Sequence, residues 1–244
     1  MQPVEAIFFD LDDTLVDDER GYRLALTATV DELCRWHSHV HGERLYEAFL
    51  EASRRFWSSP DPDRVPRTKR TRSIDGRAIR LEIWQDALSL CEASLDLAAD
   101  AASLYDLYRR VTYRLFDDTV AGLAALHGSF RLAVITNTTG DFALEKAGAT
   151  GILPYFDLFV AASDFGAGKP DPSIFRFVLD KLGLDERRAV HVGDGPETDV
   201  AGAHNAGLTS VWLNRQGTVR DASHPEPHHE ITSLRELEAL LDHL

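Results

Sequence analysis

The chain has 244 residues, of which 44% are hydrophobic and 27% charged, with a formal net charge of −14. The length fits one large domain or a core with a smaller companion, and the composition excludes collagenous, disordered and low-complexity chains. The acidic balance argues against a nucleic-acid-binding surface, because phosphate backbones need a basic face, but it leaves room for a small anion in a local basic pocket.

In chain order, "VEAIFF" (4–9) reads as a buried strand that ends at Asp10. From about Glu19 to Leu115 the pattern is helical. "YRLALTATVDELCRWH", "RLYEAFLEASRRFW", "AIRLEIWQDALSLCEA" and "ASLYDLYRRVTYRLF" all place apolar residues at helical spacing. Between the second and third lies "SSPDPDRVPRTKRTRSIDG", whose three prolines predict a loop or an irregular helix entry. After Asp117 the texture changes. "RLAVIT" (131–136), "LFVAAS" (158–163), "AVHVGD" (189–194) and "TSVWLN" (209–214) are short apolar runs of strand type. The helical stretches "GDFALEKAGA", "PSIFRFVLDKLG" and "ETDVAGAHNAG" alternate with them. "TSLRELEALLDHL" closes the chain as an amphipathic helix capped by Thr232 or Ser233. Alternating strands and helices predict a parallel sheet with helices on both faces. The fold class is therefore α/β, a doubly wound core of residues 1–17 and 117–244 with an all-helical insertion over 18–116.

The two cysteines, Cys34 and Cys91, lie in helical stretches without a CxxC pair and read as reduced structural thiols. The N-terminus has no basic n-region, and no apolar run approaches the ~18 residues of a membrane span. The expected location is cytoplasmic, with no membrane partner.

"FFDLDDTLVDD" (8–18) sets buried aromatic residues against a run of carboxylates, an arrangement that disfavours folding unless something compensates it. Open α/β sheets bind ligands at the carboxyl ends of their strands. There the sequence collects Asp10 and Asp12, Thr136 and Asn137, and Asp194 with Asp199 behind it. Lys169 joins them from the loop "GAGKPDP". Taken singly, each has a plain structural explanation: a turn acid, a strand threonine, a surface lysine. Their ordered occurrence at strand ends points to chemistry instead. Oxygen-only ligands select a hard cation, most simply Mg²⁺, which pairs with a phosphate oxygen. A lysine and a threonine hydroxyl suit the remaining phosphate oxygens. One carboxylate then serves as nucleophile and a second as general acid and base.

"DLDDTL", "ITNT", "GKPDP" and "GDGPETD" resemble, in order, the four motifs of the haloacid dehalogenase (HAD) superfamily, and the helical insertion resembles the cap of its subfamily I. The resemblance implies a Rossmann-like core, Asp10 as nucleophile and Asp12 as acid/base. It implies Thr136 and Lys169 at the phosphoryl group, and Asn137 is expected to present its backbone N–H or its side chain there. It also implies Mg²⁺ held by the Asp10 side chain, the Asp12 carbonyl and Asp194, with Asp199 in support. Dehalogenases lack the second aspartate. An alkoxide leaving group needs a proton and a halide does not, so Asp12 favours a phosphatase acting on a small phosphorylated metabolite such as a nucleoside monophosphate or sugar phosphate. "GDGPETDVAGAHNAGLTSVWLN" with "ITSLRELEALL" is similar to the branch of pyrimidine 5′-nucleotidases and N-acylneuraminate-9-phosphate phosphatases. Relatives carry Gly or Ser where this chain has Thr138, whose bulk is expected to narrow the phosphate entrance. A phosphomutase and a non-catalytic binding protein are the alternatives, and the expected assembly is a monomer or homodimer.

Other features stay outside this set. Asp13 is expected to be a structural or cap-hinge residue, and Thr14 to cap a turn or bond Asp10. The histidines of "HSHVH" and "HPEPHH" lack firm ligand spacing and read as solvated loops. Residues 64–80 carry seven basic residues and one acid, and Arg72 and Arg77 are candidates for holding an anionic substrate. Hinges are expected at "VDDER" and "RLFDDT", with the insertion closing over the site.

Overall fold

The computed structural model describes residues 3–57 and 75–244. The chain divides into two compact units, Met1–Asp17 with Arg114–Leu244, and Asp18–Tyr113. The first is built on a parallel sheet of β1 (Ala6–Phe9), β2 (Arg131–Thr136), β3 (Leu158–Ala161), β4 (Ala189–Gly193), β5 (Thr209–Leu213) and β6 (His229–Ile231). The strand order is β3-β2-β1-β4-β5-β6, that of a doubly wound α/β fold. Successive strand side chains point to opposite faces. Ile7, Phe9, Leu132, Val134, Val190 and Val192 therefore enter one core, and Ala6, Phe8, Ala133, Ile135 and Ala189 the other. The first core is closed by α5 (Thr119–Leu126), α6 (Gly140–Ala149) and α10 (Leu237–Leu241). The second is closed by α8 (Pro172–Leu182) and α9 (Ala201–Ala206).

The second unit holds α1 (Asp18–Trp36), α2 (Gly42–Trp57), α3 (Gly76–Leu90) and α4 (Ala98–Thr112) around its own apolar core. Phe49, Trp84 and Tyr105 meet at its centre, with ring centroids 4.4 Å apart for Phe49–Trp84 and 5.3 Å for Phe49–Tyr105. The basic segment lies outside the described residues up to position 74, and Arg72 with it; Arg77 is exposed on α3.

Local details depart from the sequence pattern. The run "LFVAAS" leaves the strand at Ala161 and turns into the four-residue α7 (Ala162–Phe165). The run "ETDVAGAHNAG" begins as a π turn over Pro196–Val200, where the Val200 N–H donates to Gly195 O at 3.2 Å, before α9 starts. The strand β6 carried no signal, because three residues are too few to show a period. The closing helix is preceded by a 3₁₀ turn whose capping box joins Ser233 to Glu236.

Candidate active site

The sheet order reverses direction at β1, so the crevice beyond the carboxyl ends of β1 and its neighbours is the natural ligand site. Phe9 stands opposite Val134 of β2 and Val192 of β4. Asp10, Thr136 and Asp194 therefore leave their strands at the same rim. The Asp10 N–H continues the ladder, donating to Val192 O at 2.9 Å.

Lys169 is the hub of this rim. Its buried Nζ donates to Asp10 Oδ1 and, at 2.7 Å, to Asp199 Oδ1. Asn137 fixes the lysine's backbone from both ends: its Nδ2 donates to Lys169 O at 2.9 Å, and its Oδ1 accepts from Lys169 N at 2.8 Å. Gly168 is needed beside it, since a Cβ there would lie 2.6 Å from Asn137 Oδ1. Of the two Asn137 groups expected at the phosphate, both side-chain ends are engaged with the lysine loop, which leaves the backbone N–H as the group it could turn to an anion. The Thr136 hydroxyl oxygen accepts the Thr138 N–H at 3.2 Å.

Asp199 is brought in by the π turn. Its Oδ2 accepts from Gly195 N at 3.0 Å, and Oδ1 also meets His191 Nε2 at 2.8 Å. A Cβ at position 193 would sit 2.2 Å from Asp199 Cγ, so only glycine lets this carboxylate come so close to the end of β4. Asp194 is held by Thr14, whose hydroxyl stands 3.1 Å from the Asp194 N–H and 3.2 Å from its Oδ1. Thr14 thus bonds Asp194 rather than Asp10. Trp212 Nε1 donates to Asp194 O at 2.8 Å.

Asp12 stands apart. Its Oδ1 accepts from Lys146 Nζ at 2.6 Å and its Oδ2 from the Thr138 hydroxyl at 2.5 Å. Thr138 is therefore a hydrogen-bond donor to Asp12 and not merely bulk at the entrance. Asp13 has φ 58°, a left-handed conformation that aspartate tolerates, and its N–H donates to Val16 O at 2.7 Å in the turn that follows.

The electrostatics follow from burial and pairing. Burial pushes the Asp10 carboxyl well above the usual carboxylate range; Lys169 pulls against it, while Asp199, Asp194 and Asp12 add to the rise. Burial, then Asp199, pushes Asp194 up to about 6. Burial would raise Asp199 too, but Lys169 and His191 outweigh it and hold that carboxyl below its ordinary value. Burial lowers the His191 pKa in spite of Asp199, so the ring is neutral. A carboxylate only accepts, so Nε2 carries the proton towards Asp199.

Asp10, Asp194 and Asp199 offer oxygens that all lie within 4.8 Å of one another. Together with Asp12 they make four carboxylates against the two ammonium groups of Lys146 and Lys169. Burial, with the neighbouring carboxylates, raises the carboxyls of Asp10 and Asp194. An all-oxygen donor set of this kind fits a hard divalent cation such as Mg²⁺.

The family model of the haloacid dehalogenase-like hydrolases matches residues 4–207. The chain belongs to this family. Among its HAD relatives, the N-acylneuraminate-9-phosphatase of Mus musculus is 31% identical over 243 residues, 98% of this chain and 94% of that protein. The pyrimidine 5′-nucleotidase YjjG of Escherichia coli (strain K12) is 36% identical over 126 residues, 50% of this chain and 54% of that protein. The crystal structure of the HAD-hydrolase YfnB from Bacillus subtilis shares the fold, with a TM-score of 0.76 at 19% identity over 99% of this chain and 100% of that one. No helix among the described residues of this HAD-like hydrolase is long and apolar enough to cross a membrane.

Several residues of the site were not singled out from the sequence: Lys146, Thr138 as a donor, His191 and Trp212. Lys146 left a trace. It falls beside Ala143 and Ala147 on the buried stripe of α6, where a lysine is out of place. His191 left a similar one, as an imidazole inside a run of buried valines on β4.

Proposed function

We propose that this chain is a Mg²⁺-dependent phosphatase that hydrolyses a small-metabolite phosphate monoester through an aspartyl-phosphate on Asp10. The observation that carries the reading is the division of labour among the carboxylates. Asp10 lies at the end of β1 on Lys169, and Asp12 is kept separate on its own lysine. A nucleophile and a distinct proton carrier are what ester hydrolysis needs and halide displacement does not. The names of the two relatives support a nucleoside monophosphate or a sugar phosphate as substrate. Residues 18–116 are, in this reading, the substrate-selecting cap.

In the first step an Asp10 oxygen attacks phosphorus. The bond from that oxygen to phosphorus forms while the bond to the substrate's ester oxygen breaks. Asp12 gives its proton to the departing alkoxide. In the second step a water loses a proton to the Asp12 carboxylate and attacks phosphorus. The bond to Asp10 breaks, releasing inorganic phosphate and restoring the carboxylate. Lys169 orients Asp10 and sets a positive charge beside the transferring phosphoryl group. Thr136, its oxygen already accepting the Thr138 N–H, donates a hydrogen bond to a phosphoryl oxygen. The Asp10 and Asp194 side chains and the Asp12 carbonyl would hold Mg²⁺, with Asp199 in support. When bound, Mg²⁺ supplies the charge that offsets carboxylate repulsion and polarises the phosphoryl oxygens.

The test is phosphate release from a panel of phosphorylated metabolites, with Mg²⁺ and with EDTA, for the wild type and Asp10→Asn. Mg²⁺-dependent release that disappears in the variant supports the reading. Activity that survives Asp10→Asn, or no release from any compound, overturns it.

A further inference from the structure

Lys146 is an expensive residue to place where it is. Its side chain is 3% exposed on α6, and its Nζ lies 2.6 Å from an Asp12 oxygen 134 positions earlier in the chain. A buried ion pair is a weak device for stability, since apolar residues of similar size often do as well. The neighbours Ala143 and Ala147 on the same stripe are apolar. Retention of an ammonium at this position calls for another explanation.

That explanation lies in the partner. The oxygens of Asp10, Asp194 and Asp199 group together, and Lys169 serves Asp10 and Asp199. Asp12 takes its donors from a different source, the segment that follows β2. Lys146 engages one oxygen, and the Thr138 hydroxyl engages the other at 2.5 Å. An aspartate side chain has two torsions, and a donor on each oxygen removes both freedoms. Proton transfer requires the carboxyl within hydrogen-bond reach of the ester oxygen. A displacement of about 1 Å from the working geometry can lower a rate by about a hundredfold.

We infer that Lys146 and Thr138 are positioning residues that hold the Asp12 carboxyl in place for proton transfer to the leaving alcohol. The inference rests on the phosphatase reading above. It makes a prediction that depends on the leaving group. Nitrophenolate departs without a proton, whereas an aliphatic alkoxide does not. The ratio kcat/KM reports events up to departure of the alcohol, so it isolates the step in which Asp12 acts as acid.

The experiment compares kcat/KM for glycerol 2-phosphate and p-nitrophenyl phosphate in the wild type, Lys146→Met, Thr138→Val and Thr138→Ser. Lys146→Met is expected to lower the value for glycerol 2-phosphate by about a hundredfold and that for p-nitrophenyl phosphate by less than about tenfold. Thr138→Val is expected to move the same ratio in the same direction by about tenfold, and Thr138→Ser, which keeps the hydroxyl, to retain the wild-type ratio. Thr138→Val carries the test should Lys146→Met fail to fold. Equal losses on both substrates would mark a merely structural role and overturn the inference, as would no loss on either. A wild type that releases phosphate from neither compound nor any metabolite of the panel overturns the phosphatase reading, and the inference with it. A wild type whose activity needs Asp10, with an unchanged ratio in the variants, overturns the inference alone.

Discussion

At the centre of the helical unit, Trp84 is fully buried, with Phe49 and Tyr105 packed on it within 6.0 Å, centroid to centroid. Ring faces and edges there pack by dispersion and quadrupole contacts. Among its ion pairs, Arg109 with Asp18 lies near the ends of α4 and α1, and Arg80 with Asp106 lies beside the Tyr105 ring. The α/β unit also has two apolar cores, but at its strand ends it buries Asp10, Asp199, Lys169, Lys146 and His191. Charges in that setting stabilise the fold only when opposite charges meet them, and two of the carboxyls are shifted up, by burial first and by neighbouring carboxylates second. The buried carboxyls tie the stability of the α/β unit to pH.

The strongest way to break this contrast is through the rings. Trp84→Ala removes the largest fully buried side chain and is expected to cost about 3–5 kcal/mol. Urea unfolding should show that loss unchanged between pH 5 and pH 8, and without dependence on Mg²⁺. A loss that tracked pH or Mg²⁺ would mean the helical core is not independent of charge.

A smaller effect tests paired charge in the α/β unit. Asp118 accepts from Arg215 at 3.0 Å, from Ser233 Oγ at 2.6 Å and from the Leu234 N–H at 2.9 Å. Burial alone would raise its carboxyl, but these donors outweigh it and hold it below the ordinary value. A depressed carboxyl adds stability above its unfolded value, about 3.9, and loses it as pH falls through the folded value. Asp118→Asn should therefore cost about 1–3 kcal/mol at pH 7. The difference from wild type should shrink once the pH drops below about 4.

The smallest effect has the opposite sign. Asp194 is raised to about 6, so its ionised form weakens the metal-free fold at neutral pH. That penalty is relieved as pH falls through about 6. In EDTA at pH 7.5, Asp194→Asn should raise Tm by about 2–4 °C, the shift that about 1 kcal/mol produces in a chain of this size. The gain should fade as the pH is lowered past 6 towards 4, around the value at which the raised carboxyl becomes protonated. Mg²⁺ should raise Tm in the wild type and much less in the variant. A fall in Tm for Asp194→Asn at pH 7.5 would contradict the shortage of positive charge at the site.

The elements were legible because their signals are local. Buried strands such as "AIFF" and "RLAVIT" announce themselves by composition, and the alternation of strands with helices gave the parallel sheet. Asp10 and Asp194 could be marked as candidates because each directly follows such a run, and Lys169 because glycine and prolines frame its loop. The partnerships are another matter. Thr14 meets Asp194 across 180 positions, Thr138 meets Asp12 across 126, and Lys146 meets Asp12 across 134. Nothing periodic encodes such pairs. They depend on β2 and β4 lying on either side of β1 in fixed register, and on α6 turning one lysine of its apolar stripe towards the end of β1. The sequence alone marked those rim residues that directly follow a strand or sit in a framed loop, Asp10, Asp194 and Lys169 among them, because backbone pattern and turn chemistry act over a few residues. The tertiary structure alone decided which carboxylate each lysine answers, because that choice is set by distances between segments far apart in the chain.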